Sequence, residues 1–315
     1  MKPMLAADWD ESKIRFPVIA QPKIDGVRGL NVNGLFTGRS LKRHANRHVT
    51  NLFSRVELDG LDGEIAALHE CHVDLCRETT SALSTIEGDP SVVWWLFDYV
   101  TESTKNLPYS KRLAALAARV DALRADPALP ELSRHLRCVP SVICADMAQL
   151  LKADAAWLDM GYEGTIIRDP AAPHKQGRST VREGGLLRIK RFIDGEVEVV
   201  ELIEGETNLN DLQINELGRT FRSGRQANMM PNGMVGAMLG RLINDVRGLD
   251  GSVLFAKGAE IKISAGCMSH EDRFRHFHKP ELLIGQVAKF KSFPKGVKDK
   301  PRFPTFQSLR CSADM

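Results

Sequence analysis

Two dipeptides near the start of the chain, Asp25-Gly26 and Asn33-Gly34, constrain its fold most. Asp-Gly and Asn-Gly supply the positive φ angles that tight hairpins demand, and here they punctuate the apolar runs of residues 18–39. The spacing predicts strand, turn, strand, turn, strand, so an antiparallel β start is expected. Further strand candidates lie at 92–97, 165–168 and 186–192. Ser110 reads as the N-cap of an amphipathic helix presenting Leu113, Leu116, Ala117, Val120 and Leu123, and a second helix is expected over 146–160, stopping at Gly161.

A chain of 315 residues fits two domains better than one. The break is expected near Ile193-Asp194-Gly195, after which residues 196–204 alternate acidic and apolar as a half-buried strand should. Short strand candidates at 234–243, 252–256, 259–263 and 282–290, separated by Gly-rich turns, predict a small β-barrel. The expected division is thus a mixed α+β domain over 1–192 and a barrel over 193–315.

The formal charge of +3 excludes a surface that is basic all over, but not local basic strips. Two stand out: Arg219, Arg222 and Arg225, then residues 289–302, with six cations against the single acid Asp299. Six cysteines at 71, 76, 138, 144, 267 and 311 lack paired Cys-x-x-Cys spacing and read as reduced thiols. His69, Cys71, His72 and Cys76 have zinc-ligating side chains, but their spacing matches no common zinc site. The apolar run 92–97 is far too short to span a bilayer, and the first ten residues hold no signal-peptide core, so a cytoplasmic protein without a membrane partner is expected.

No Gly-x-x-x-x-Gly-Lys-Ser/Thr loop occurs, so a conventional phosphate cradle is absent from the sequence. Lys23-Ile24-Asp25-Gly26-Val27-Arg28, taken alone, is a lysine and an arginine flanking a hairpin turn. It is followed in order by Arg39-Ser40, Asp62-Gly63-Glu64, Leu96-Phe97-Asp98-Tyr99, Glu163-Gly164-Thr165-Ile166-Ile167-Arg168 and Arg188-Ile189-Lys190. Each fragment is weak, whereas their order and spacing together are specific. In them the chain resembles the covalent nucleotidyltransferases and, within that superfamily, the compact ATP-dependent DNA ligases of phage and bacterial type. Lys2-Pro3-Met4-Leu5-Ala6, the segment from Leu107 to Leu113, and Arg302-Phe303-Pro304 with Phe306 and Arg310 are ligase-like as well. The resemblance covers nearly the whole chain and departs from the usual lysine at Arg168 and Arg188.

The resemblance implies an α+β fold: a nucleotidyltransferase (ATP-grasp-like ligase) domain of antiparallel sheets and helices, followed by an OB-fold β-barrel. It implies that Lys23 takes AMP from ATP, passes it to a DNA 5′-phosphate, and that a 3′-hydroxyl then displaces it. Gln21 would read the adenine amino group, Phe97 would stack on the base, and Ile24, Arg28, Arg39, Arg188 and Lys190 would complete the nucleotide site. Glu64 and Glu163 would hold Mg²⁺, Glu64 also meeting the ribose. Nearby cations are expected to lower the pKa of Lys23, because a phosphoramidate forms only from a neutral amine. Arg302, with Lys300 or Arg310 beside it, would face pyrophosphate, and Arg219, Arg222 and Arg225 would form a loop contacting DNA phosphates. The expected partner is nicked duplex DNA and the expected state a monomer. An RNA ligase or messenger-RNA-capping nucleotidyltransferase would share the lysine motif, against which the Arg-Phe-Pro tail argues. A non-catalytic nucleic-acid-binding protein would not need Lys23, Glu64, Glu163 and Lys190 intact.

Overall fold

The computed structural model describes residues 1–249, 251–297 and 300–310, with 295–297 and 300 as backbone alone. The side chain of Lys300, and all of Lys298, Asp299 and Cys311, therefore lie outside the described residues. The chain divides into two compact units, Met1–Lys190 and Arg191–Met315.

The first unit holds two five-stranded sheets and several helices. One sheet runs, in spatial order, Ala7–Asp8, Leu186–Lys190, Gly164–Arg168, Val18–Pro22 and Val142–Cys144. The other runs Leu35–Thr37, Val27–Val32, Leu61–Ala66, Val93–Tyr99 and Leu136–Cys138. Pairing is antiparallel except where Ala7–Asp8 meets Leu186–Lys190 and Leu136–Cys138 meets Val93–Tyr99. Asn33 and Gly34, at φ 54° and 78°, make the expected tight hairpin, with Val32 opposite Leu35.

Asp25-Gly26 does not make one. The strands on either side of it, Val18–Pro22 and Val27–Val32, enter different sheets, so Lys23 to Gly26 is a crossing between sheets. Gly26 does not adopt a positive φ; it is needed because a Cβ there would stand 2.1 Å from the Ile65 carbonyl oxygen. The dipeptide signal was right about glycine and wrong about its reason.

The helix Tyr109–Ala125 follows Pro108, and no side chain caps its first turn, so Ser110 is not the N-cap. Its buried face is Tyr109, Arg112, Leu116, Val120 and Leu123, with Ala117 exposed. A charged residue inside that face is what the apolar pattern could not show. The second expected helix is Met147–Asp159, capped by the Asp146 side chain on the Gln149 amide and ended by Gly161 at φ 91°.

The second unit is a closed five-stranded barrel in the order Ile193–Asn208, Met229–Leu242, Glu260–Ser264, Lys300–Leu309 and Val287–Val297. Val197, Val199, Met238, Ile263, Ala288 and Phe290 fill its core. A two-stranded ribbon, Leu212–Ile214 with Thr220–Arg222, rises between the first two barrel strands in sequence. Residues 282–290 are not one strand: a helix over His270–His278 and a short turn over Pro280–Leu282 precede the strand, which starts at Val287. That helix is capped by Ser269 accepting from the Asp272 amide, and its polar surface gave no apolar stripe to read. The final barrel strand contains Pro301 and Pro304, residues that argue against a strand in a sequence. Register shifts along its pairing with Val287–Val297 accommodate them.

Candidate active site

In the first unit a cavity of about 570 Å³ opens beside the Lys23–Gly26 crossing. Lys23 enters it from the end of Val18–Pro22, its backbone pinned on both sides: its amide donates to the Gly164 carbonyl at 2.8 Å and its carbonyl accepts from the Glu163 amide at 3.1 Å. Those two bonds bring Glu163 beside Lys23 across 140 residues of sequence, and the ammonium pairs with one carboxylate oxygen of Glu163. Lys190, at the end of Leu186–Lys190, approaches the other oxygen at 3.5 Å. Both lysines and the glutamate are largely buried, their side chains 19%, 17% and 11% exposed.

Electrostatics here differ from the expectation. Burial alone would push the Lys23 ammonium down, but the charge and hydrogen bond of Glu163, then the charges of Glu64 and Asp25, outweigh it and hold its pKa above the ordinary lysine value. Lys190 goes the other way: burial, with Lys23 and Arg188 as neighbouring cations, overcomes Glu163 and lowers it. Lys23 is therefore a paired cation, and its amine could act as a nucleophile only once Glu163 is drawn off it. Glu163→Gln is accordingly expected to lower the Lys23 pKa and to accelerate its modification by a neutral amine reagent at mildly alkaline pH, by about tenfold for each pKa unit lost. Peptide-resolved modification rates check this, and an unchanged rate at Lys23 would mean that Glu163 does not set its charge.

Gln21, Lys23, Ile24, Arg28, Arg39, Glu64, Phe97 and Arg188 all line the cavity, while Glu163 and Lys190 reach it through Lys23. Arg28 does not stand free: Nε and Nη2 donate to the two Asp62 oxygens at 2.5 and 2.6 Å, and its guanidinium lies 4.6 Å from the centre of the Phe97 ring. Arg188 donates to Asp8 at 2.6 Å. Arg168 also touches the cavity, but it is buried against Asp98 at 3.3 Å, which favours an acidic partner over a phosphate for that position. Lys42, Arg43 and Arg178 add positive charge to the wall. The first two follow Arg39 in one loop and could have been read from that clustering; Arg178 had no sequence signal.

Glu64 is the second carboxylate of the cavity, and burial, only partly offset by Arg28 and Lys23, lifts it to about 7. A carboxyl group short of positive charge is a ligand type that suits a hard divalent cation. Among the described residues no group of three or more His, Cys, Asp or Glu side chains could hold a metal, so Glu64 and Glu163 would leave most positions to water and phosphate oxygens, as Mg²⁺ prefers. His69, Cys71, His72 and Cys76 form no such group either, and neither cysteine is in a disulfide.

In the second unit Arg219 and Arg222 belong to the exposed ribbon and Arg225 follows it. The basic segment is thus half hairpin rather than an open loop, with Arg222 donating to the Asn210 carbonyl. Arg302 sits on the final barrel strand, 5.9 Å from the Phe293 ring centre and 5.7 Å from that of Phe303. Arg310 instead pairs with Glu196 at 2.5 Å. No helix among the described residues is long and apolar enough to cross a membrane.

No family model matches the chain, and no curated protein matches it. Among solved structures it is similar to the Chlorella virus DNA ligase-adenylate at 26% identity, over 98% of this chain and 99% of that one, with a TM-score of 0.53. A Lig E DNA ligase matches over 98% of this chain and 99% of its own at 18% identity and a TM-score of 0.68. The ATP-dependent DNA ligase of bacteriophage T7, solved with ATP, matches over 98% of both chains at 16% identity and a TM-score of 0.50. At those identities the last two speak to fold alone.

Proposed function

We infer that this chain is an ATP-dependent DNA ligase, sealing 5′-phosphate/3′-hydroxyl nicks in duplex DNA through a lysyl-AMP and then a DNA-adenylate. The observation that carries the inference is the end-to-end likeness to a DNA ligase solved as its adenylate. The cavity supports it: two buried lysines, two carboxylates and a cationic wall stand together in a chain without a Walker-type loop. Residues 1–192 are the adenylation domain and 193–315 an OB-fold domain, acting as a monomer in the cytoplasm on breaks left by replication, repair or recombination.

In the first step the Lys23 amine attacks the α-phosphorus of ATP, a P–N bond forms, and pyrophosphate leaves. The proton that Lys23 shares with Glu163 must depart first. Arg39 and Arg188 offset charge on the transferring phosphoryl group, Arg28 and Ile24 hold the sugar and base edge, and Phe97 stacks on adenine. Glu64 and Glu163 are the residues that would hold Mg²⁺, which supplies positive charge at the triphosphate when bound. In the second step a DNA 5′-phosphate oxygen attacks the same phosphorus and Lys23 leaves as an amine, which takes up a proton and recovers Glu163 as its partner; in the third a 3′-hydroxyl gives up its proton and displaces AMP. Arg302 serves the pyrophosphate.

Arg219, Arg222 and Arg225 grip the DNA backbone. Replacing all three by alanine is expected to weaken duplex binding and to reduce the slope of log affinity on log salt by about 2 to 3, which titrations at several salt concentrations would read. An unchanged slope would move the DNA contact elsewhere. The function itself is tested on nicked duplexes whose strands at the nick are DNA or RNA. Sealing of the all-DNA nick supports it; sealing only where RNA supplies the 3′-hydroxyl or both strands would replace DNA joining by RNA joining.

A further inference from the structure

Gln21 is an ambivalent reader of a nucleobase, because an amide offers a donor or an acceptor according to which way round it sits. Its surroundings remove the ambivalence. Gln21 is buried in Val18–Pro22 at the cavity wall, and its Nε2 donates to the Ser141 hydroxyl at 2.9 Å. The Tyr109 hydroxyl also lies near enough to the Gln21 side chain to be acted on by it. Each hydroxyl has one proton, and both are committed: Ser141 donates to the Val139 carbonyl at 3.2 Å and Tyr109 to the Phe97 carbonyl at 2.8 Å. Burial, foremost, holds the Tyr109 phenol protonated far above its ordinary range. Toward Gln21 the two oxygens present lone pairs alone, so the NH₂ end of the amide is fixed on them. The Gln21 carbonyl oxygen accepts from no donor among the described residues and is the end left for a ligand.

We propose that Ser141 and Tyr109 are positioning residues that lock the Gln21 amide with its carbonyl oxygen toward the base, so that the site selects a purine bearing a 6-amino group over one bearing a 6-oxo group. A flipped amide would suit a 6-oxo purine, but it would set its oxygen against two oxygens that have no proton to give. Val139 and Phe97, whose carbonyls take the two protons, themselves line the cavity, so the lock and the pocket share one wall. The proposal rests on the nucleotide-binding role given above to this cavity.

The test is covalent labelling of the full-length protein with α-labelled ATP and, in parallel, α-labelled inosine triphosphate, which carries oxygen at the 6-position. Wild type is expected to favour ATP. Ser141→Ala should cut the ATP-to-inosine-triphosphate ratio about threefold, and Ser141→Ala with Tyr109→Phe about tenfold or more, partly by gain with the 6-oxo nucleotide. Ser141→Thr, which keeps a hydroxyl, should retain the wild-type ratio. A ratio within about twofold of wild type in the double variant would overturn the lock while leaving the ligase reading intact. Should the double variant not fold, the ratio in Ser141→Ala, at an exposed position, decides. Absence of label from either nucleotide on wild type would instead remove the enzymatic reading on which the lock depends.

Discussion

Lys23→Ala is expected to abolish sealing of a nicked duplex from ATP, by at least about a thousandfold, while sparing the sealing of a duplex whose 5′-phosphate already carries AMP. The amine is the nucleophile of the first step and the leaving group of the second, but it forms no bond in the third. Lys190 cannot substitute, because its ammonium is held on the opposite oxygen of Glu163 and its chain comes from a different strand. Lys23→Arg should be as inactive as Lys23→Ala: a guanidinium can keep the ion pair with Glu163 yet cannot become a neutral nucleophile. That comparison separates the charge of residue 23 from its chemistry. Equal loss in both sealing assays would point to a folding role for Lys23, and survival of ATP-dependent sealing would remove it from the reaction.

The second large effect is on stability. Asp98, from Val93–Tyr99, is 1% exposed and accepts from Arg112 Nε and Nη2 at 2.8 and 3.1 Å and from Arg168 at 3.3 Å. Both arginines are as deeply buried, so one carboxylate joins a strand of one sheet, the helix Tyr109–Ala125 and a strand of the other sheet. Burial alone would raise the Asp98 carboxyl, but Arg168 and Arg112 outweigh it and hold it below its ordinary value. Its stabilising contribution is therefore present at any pH above the usual carboxylate pKa and fades only as pH falls through the depressed one. Asp98→Ala leaves two buried guanidinium groups without a counter-charge and should cost about 3–5 kcal/mol in urea unfolding at neutral pH. A loss under about 0.5 kcal/mol would show that solvent or backbone carbonyls already neutralise the arginines.

How far the sequence could reveal these features depended on what each residue was for. Asn33-Gly34 was legible because a two-residue turn with two positive φ angles is decided locally. Asp25-Gly26 misled because its glycine answers to the Ile65 carbonyl, nearly forty positions downstream, and a dipeptide cannot announce such a neighbour. Ordered motifs placed Gln21, Arg28, Arg39, Glu64, Phe97 and Arg188 at one cavity, but not their partners. Cations were expected to dominate the environment of Lys23, whereas the shortest approach is Glu163, delivered by backbone pairing that no pattern encodes. Arg112 was hidden inside an apolar helix face, and its meaning lies in Asp98. The last barrel strand was hidden by its prolines, which a bulged ladder tolerates. Side chains that tune others, Ser141 and Tyr109 among them, appear only when hydrogen bonds are followed proton by proton.

If one lysine carries the nucleotide, the site of AMP attachment reveals it. The protein is incubated with ATP and Mg²⁺, digested, and its peptides are mapped by mass spectrometry. AMP is expected on the peptide containing Lys23, through a bond that acid cleaves and alkali spares, with no adduct after GTP. AMP attached to another residue, or a Lys23 peptide that stays unmodified under conditions where nicked DNA is sealed, would contradict it.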